Sequence, residues 1–367
     1  MTMSETAAQP SGQLHEVLLR MAGRIPDDLL SEARTWLAAG QYTDVAQAVA
    51  LGCVAGEVSV DPADIDVLAA VLTAGGAEPD ILDDLPGNRG GQVPECTLAP
   101  LPAHTVAECG DAAPACLDLT GAYPTRWGPD ERDAAVIEAV AAIGTRTRLV
   151  GVWRAWRSPV SAGSAPSPRR VYLVEAGAEV SSLRLPAVTA AVQAALGAAG
   201  EHDPQVEVVT AGGAEPAYQR WVRGSGALLW AATPTAPLRI ARVFDRVDPQ
   251  AGPSFDRDHP CLDDAERAMA LGYLAAGEAV LVSGVLLPDV VDPARGEAVP
   301  VTLRTDGTWV WADTTGYYLE RYGIAPDPGL LDHMRGRGFA APEATSVAVH
   351  LAMVALSSGH DEPVWTV

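Results

Sequence analysis

The sequence predicts an α+β (mixed α/β) domain preceded by a small all-α helical bundle. Three observations carry this. Apolar residues recur at helical spacing up to about residue 85. A stretch rich in Pro and Gly then breaks that period. Beyond about residue 116, short β-branched and aromatic runs interleave with helical runs, without a strict strand–helix–strand repeat. The organisation expected is a disordered tail (1–12), a helical bundle (13–85), a linker (86–115) and a mixed α/β domain (116–367).

The bundle is read from faces and caps. Leu14, Val17, Leu18 and Met21 share one helical face. Pro26 suits a first helical position, and Asp27 and Asp28 favour the positive end of the helix dipole. Leu29, Leu30, Ala33, Trp36 and Leu37 continue this second helix to Gly40. Thr43 can cap a third helix through Val45, Val49 and Val54. Asp61-Pro62 opens a fourth through Ile65, Leu68, Ala69 and Leu72, closed by Gly75-Gly76. Short helices on short loops make a bundle.

In the mixed domain, RLVGVW (148–153) and RRVYLV (169–174) read as strands around a flexible loop, SPVSAGSAPSP. A helix over 185–199, a strand over 206–209 and a short helix over 217–223 follow. Strands are expected at 238–244 and 278–287, on either side of a helix over 263–276. Asp306-Gly307 marks a hairpin turn between strands 300–305 and 308–311. Helices over 313–322, 328–336 and 342–356 complete the chain.

Composition narrows the chemistry. There is no lysine, so all 25 basic residues are arginine. That excludes a P-loop, a protein kinase, Schiff-base chemistry and Ser-x-x-Lys hydrolysis. Asn88 is the one asparagine and there are 3 Phe, the codon bias of a GC-rich genome. With Phe scarce, Leu, Val and Ala must fill the core, and the 9 Trp are its bulky anchors. The formal net charge of −22 argues against nucleic acid and anionic membranes, and favours a basic protein partner. Five cysteines, an odd number, are not a disulfide framework. The opening MTMSETAAQPSGQ lacks the basic and apolar regions of a secretory signal. No run approaches the ~18 apolar residues of a membrane span. The cytoplasm is the expected location, with no membrane insertion.

Four clusters are candidates for function. Cys96, His104, Cys109 and Cys116 have the residue types of a zinc site but not its compact spacing, so no cofactor is expected there. The acidic loop 245–264 gathers Asp256, Asp258, His259, Asp263 and Asp264, oxygen-rich ligands for a hard cation. The loop is not an EF-hand, and its prolines, arginines and capping aspartates also fit a plain turn before a helix. In GVWRAWRSP (151–159), Trp153 and Trp156 face opposite ways along a strand, and arginine can stack on them.

The densest aromatic cluster is RTDGTWVWADTTGYYLERYG, 304–323. Trp309 and Trp311 alternate, so both point to one side of a strand, ahead of a helix carrying Tyr317 and Tyr318. Trp, Tyr and Arg anchor interfaces. Arg304, Asp306, Trp309, Trp311, Asp313, Tyr317 and Tyr318 are therefore the candidate interaction residues, although the two indoles also suit a core. There is no G-x-S-x-G, H-E-x-x-H, G-x-G-x-x-G after a strand, or C-x-x-C. Seven histidines are scattered singly.

The segment PVTLRTDGTWVWADTTGYYLERYGIAPDPGLLDHM resembles the C-terminal part of a group of proteins from high-GC actinobacteria. LLPDVVDPARGEAVP and ARVFDRVDPQAGPSFDRDHP are similar to it as well, and the likeness spans about the last two-thirds of the chain. This resemblance implies no activity and no catalytic residue. The function expected is a non-catalytic scaffold, adaptor or immunity-type protein that binds another protein. The alternative is a metal-dependent hydrolase or transferase built on the acidic loop.

Overall fold

The structure, a computed structural model, describes residues 3–86, 94–121, 127–160, 168–234 and 236–357, with side chains from residue 10 onward. It is α+β, with helices gathered at the N-terminal end. The chain divides into two compact units, Met1–Pro234 and Thr235–Val367. Among the described residues, no helix is long and apolar enough to cross a membrane.

The first unit begins with four helices: α1 (Met3–Met21), α2 (Asp27–Ala38), α3 (Tyr42–Ala55) and α4 (Pro62–Ala74). Then come β1 (Cys96–Ala99), α5 (Ala103–Cys109), β2 (Leu117–Asp118), α6 (Glu131–Gly144), β3 (Leu149–Pro159) and β4 (Arg169–Ala176). It closes with α7 (Leu185–Ala198), β5 (Gln205–Thr210), α8 (Ala217–Gly224) and β6 (Ala227–Ala231). The strands form one mixed sheet in the order β2-β6-β3-β4-β5, with β1 also paired to β3. β4 and β5 run parallel, as do β2 and β6; β3 is antiparallel to all its neighbours.

Alternation along the strands sets the two faces. Val152, Tyr172, Val174, Val206 and Val208 point to α6 and α7, whose Val136, Val140, Leu185, Val188, Val192 and Leu196 complete that core. Trp153, Leu173, Glu175 and Glu207 alternate with them, and α8 packs on β3 and β4. Arg223 of α8 stacks on Trp153 at 4.4 Å, and Arg170 of β4 on Trp156 at 4.6 Å. The stacking inferred for this strand is present, but neither of these arginines comes from β3 itself. The expected hairpin loop 158–168 lies mostly outside the described residues, beyond Val160.

The structure differs from the expected organisation in three places. α1 already runs from Met3, through the segment read as a disordered tail. Also, the helices do not stand apart from the sheet. β5 is a sheet edge; α2 packs along it and α1 reaches it through His15. His15 Nε2 donates to the Val208 carbonyl (2.8 Å), Arg34 pairs with Glu207 (2.6 Å) and Gln205 donates to the Asp27 carbonyl (2.9 Å). Covering an edge strand with helices removes an aggregation surface. The bonds that do this join residues more than 170 positions apart, which periodicity cannot register. The stretch read as a linker contains β1 and α5, with 87–93 outside the described residues.

α6 was not expected either, although its signal is in the sequence. The Asp130 side chain accepts from the backbone amides of Arg132 and Asp133, and Asp133 reaches back to the Asp130 amide. This capping box opens the apolar run Val136, Ile137, Val140 and Ile143.

The second unit holds β7 (Arg239–Ile240), β8 (Arg246–Asp248), β9 (Gly252–Ser254), α9 (Asp264–Ala276), β10 (Glu278–Leu281), β11 (Leu286–Pro288) and β12 (Glu297–Pro300). β13 (Leu303–Thr305), β14 (Trp309–Ala312), α10 (Asp313–Tyr322), α11 (Pro328–Gly336) and α12 (Ser346–Ser357) follow. Its main sheet has the order β10-β13-β14-β7; β8/β9 and β11/β12 are separate hairpins. The run 278–287 is therefore two short strands in different sheets, not one. β13 and β14 form the hairpin read from Asp306-Gly307, where Gly307 takes φ +84°, a conformation most side chains resist.

Candidate functional site

The aromatic patch turns inward. Trp311 is 1 % exposed and Trp309 6 %, and both belong to the core of the second unit with Tyr273, Leu274, Leu319, Leu330 and Met334. Trp311 donates its indole N–H to the Leu274 carbonyl at 3.2 Å and packs against the Tyr273 ring at 5.9 Å. A Cβ placed on Gly277 would meet the Trp311 ring at 2.3 Å, so that position needs glycine for space rather than for turn geometry. The indoles share a side, as alternation requires. Trp311 lies against α9 and Trp309 against α11, rather than on the helix that follows the strand.

The polar members of the patch are structural ties. Arg304 donates to Asp313 (2.6 Å) and to the Gly277 carbonyl (3.0 Å). Asp306 is buried in the hairpin turn. It accepts from the Thr308 and Trp309 amides (both 2.8 Å), from the Tyr273 hydroxyl, and faces His333 Nε2 at 2.7 Å. Burial works to raise its carboxyl pKa. The Tyr273 hydroxyl, the two amides and His333 outweigh burial and hold it below the ordinary aspartate value. Trp309, Trp311, Asp306 and Tyr318 are thus corrected from interface residues to buried ones. The physical reason is the shortage of Phe, which leaves Trp and Tyr to supply the core volume.

Tyr317 and Tyr318 instead position a loop. Asp289, 1 % exposed, accepts from the hydroxyls of Tyr317 (2.9 Å) and Tyr322, and from the amides of Val291 (2.9 Å) and Asp292 (3.2 Å). The Tyr318 hydroxyl accepts from the Val290 amide at 3.1 Å. Burial raises the Asp289 pKa, but the Tyr322 bond and the other three donors bring it below the usual value. The same contact, after burial, pushes the Tyr322 hydroxyl up to about 12. Three tyrosines of α10 therefore clamp residues 289–292.

That clamp lies beside an exposed apolar strip. Leu281 is 50 % exposed, Val282 76 %, Val285 59 %, Leu286 46 % and Val291 43 %. The other large exposed apolar residues, Leu51, Val160, Leu183, Val247 and Met269, are scattered along the chain. Single exposed apolar residues are ordinary; five within eleven residues make a candidate interaction surface. Among the described residues, β10 pairs on one side, with β13, and α12 packs against both strands. α12 is mostly apolar, yet Leu351, Met353 and Leu356 are only half-buried. The run LVSGVLL falls within the single strand expected over 278–287, which breaks at Ser283-Gly284 in the structure.

The acidic loop does converge on a cleft of about 680 Å³, lined by Asp245, Asp256, Asp258, His259 and Asp263 among others. Asp256, His259 and Asp263 are already occupied. Asp263 caps α9, accepting from the Ala265 and Glu266 amides (3.0 and 2.9 Å). Asp256 pairs with Arg246 at 2.9 Å. Both ring nitrogens of His259 face acceptors, Asp245 at 2.8 Å and the Ala325 carbonyl at 3.0 Å, so neither nitrogen is turned towards a metal position. Among the described residues, no three His, Cys, Asp or Glu side chains stand close enough together to hold a metal ion, and this includes the Cys96, His104, Cys109 and Cys116 set. In the first unit, a cleft of about 480 Å³ is lined by Asp27, Arg157, Arg169 and Asp203, whose charges pair with one another.

No family model, curated protein or solved structure matches the chain.

Proposed function

We propose that this is a non-catalytic protein-interaction protein of the bacterial cytoplasm, a scaffold, adaptor or immunity-type partner, and that it binds through the apolar strip of the second unit. The observation that carries this reading is the exposure of Leu281, Val282, Val285, Leu286 and Val291 within eleven residues, next to a loop pinned by Asp289. Such surface is unfavourable in water at about 25 cal/mol per Å² and is ordinarily covered. A pinned loop loses little conformational freedom when a partner settles on it. Tyr317, Tyr318 and Tyr322 of the aromatic patch hold the loop at one end of this surface.

The test is photo-crosslinking in the producing cell. A benzophenone side chain is placed at Val282, at Val285 or, as a control, at Leu51 on α3. The expected result is one discrete adduct, identified by mass spectrometry as the same second protein, from the first two positions only. No adduct at either position, or the same diffuse adducts from all three, would count against the reading.

A further inference from the structure

We infer that the strip is covered by a basic, apolar segment of a second protein, and not by a second copy of this chain. This rests on the interaction reading above and adds the chemistry of the occupant. The carboxylates at the rim decide it. Glu278 is exposed three positions before Leu281 on β10. Glu297 is exposed on β12 in register with Pro288, at the far end of β11. Asp292, half-exposed, follows Val291 directly. Against these three, the span 278–300 offers one cation, Arg295. Asp289 is not part of the rim, because its oxygens are taken up by tyrosines and amides.

A second copy would bring the same carboxylates to face these. Residues 235–367 carry 19 Asp and Glu against 10 Arg, and the whole chain has a formal net charge of −22. At physiological salt the Debye length is about 8 Å, so charges at the edge of a docked strip still repel. A segment with apolar side chains flanked by Arg or Lys meets both demands. It covers Val282, Val285 and Leu286, and it gives Glu278, Asp292 and Glu297 a counter-charge. Charges on a rim act mainly on encounter rate and partner choice, while the apolar centre supplies most of the energy.

The test uses the full chain and three synthetic peptides of about 12 residues, alternating Val with Arg, Val with Glu, or Ser with Arg. Binding is followed by fluorescence anisotropy, and amide exchange locates it. The Val/Arg peptide is expected to bind at least about tenfold more tightly than either of the others, a difference that anisotropy resolves easily. Its affinity should fall as salt is raised, and exchange should slow at 278–291. Val282→Ser with Val285→Ser should abolish binding. Glu278→Gln with Glu297→Gln should weaken it several-fold at unchanged melting temperature.

Equal binding by the Val/Glu peptide overturns the inference, and so does equal binding by the Ser/Arg peptide. Sedimentation showing a dimer that Val282→Ser dissolves would make the second copy the occupant. Slow exchange at 278–291 in the free chain at every concentration would mean that the strip is not open to a partner. The crosslinking above separates the two claims. An identified partner whose crosslinked segment is acidic defeats the inference and leaves the interaction reading intact; no specific adduct strikes the reading itself.

Discussion

The two units satisfy their buried charges in different ways. In the first, guanidinium meets carboxylate across long stretches of chain. Arg34 of α2 pairs with Glu207 of β5, both nearly inaccessible, and Arg154 of β3 pairs with Asp133 of α6, which also accepts from the Tyr172 hydroxyl at 2.8 Å. In the second, Asp289 and Asp306 are held by tyrosine hydroxyls, backbone amides and one imidazole. An ion pair between remote elements locks helix to sheet and fixes the tertiary arrangement. A carboxylate that collects nearby amides fixes a loop. The first arrangement closes the edge of β5 under helices, and the second holds residues 289–292 rigid beside an uncovered apolar strip.

The comparison breaks most visibly at its buried members. Glu207→Ala leaves Arg34 buried without its counter-charge, and removing one partner of such a pair costs about 3–5 kcal/mol. Trp311→Ala is expected to cost a similar amount, about 3–5 kcal/mol, through the cavity left between β14 and α9. Hydrogen exchange should report the first loss within residues 10–231 and the second within 239–357. Uniform loss over both units in either variant would show that they do not fold as separate bodies.

A pH titration sharpens it next. His15 is buried and its pKa is pushed down to about 4 from 6.5 by burial, with Arg34 adding to the effect and the Val208 carbonyl opposing it. The unfolded chain therefore binds the proton first. Stability is complete above about pH 6.5 and is lost as pH falls towards 4, by about 3 kcal/mol. His15→Gln should flatten stability over that window in chemical-denaturation curves. If wild type and variant fall in parallel, His15 is not the group responsible.

Asp289 gives a smaller effect at lower pH. Its pKa lies below the unfolded value, so its contribution is present above about pH 4 and is lost as pH falls through the folded value. Asp289→Asn keeps one acceptor oxygen and removes the charge. It should cost about 1–2 kcal/mol and speed exchange at Val290 to Asp292. Unchanged exchange there would mean that the tyrosines do not pin the loop. The smallest effect belongs to the strip. Val282→Ser should move folding stability by no more than about 0.5 kcal/mol, because the side chain is 76 % exposed. A larger loss would place Val282 in the fold and leave it unavailable for binding.

Much of the fold was legible. The helices 27–38, 62–74, 185–198 and 313–322 follow from apolar period, with a proline in the first turn of two of them, and the hairpin at Asp306-Gly307 from its turn residues. Those signals are local, because a cap or a turn is decided within a few residues. α6 was equally legible through Asp130 and Asp133 but was passed over. The site was far less so. An alternating pair of tryptophans has the same sequence whether it faces a partner or a core. Here Gly277 and Tyr273, more than 30 residues away, make it core. The acidic loop likewise has the composition of a metal site, and only the positions of Arg246, Ala325 and the start of α9 show where its oxygens and nitrogens are committed.

The sequence by itself determined the fold class, the exclusion of lysine chemistry, the acidic surface and most helix limits, since each depends on composition or on neighbours within a turn or two. Tertiary structure alone decided which apolar residues stay in water. Leu281, Val282, Val285 and Leu286 form as apolar a run as many that are buried. They are exposed because the chain leaves the main sheet after Leu281 and re-pairs as the separate hairpin of β11 and β12, while Asp289 and the tyrosines of α10 hold the loop beyond it. Burial depends on what stands opposite a side chain, and among the described residues these four remain 46–76 % exposed.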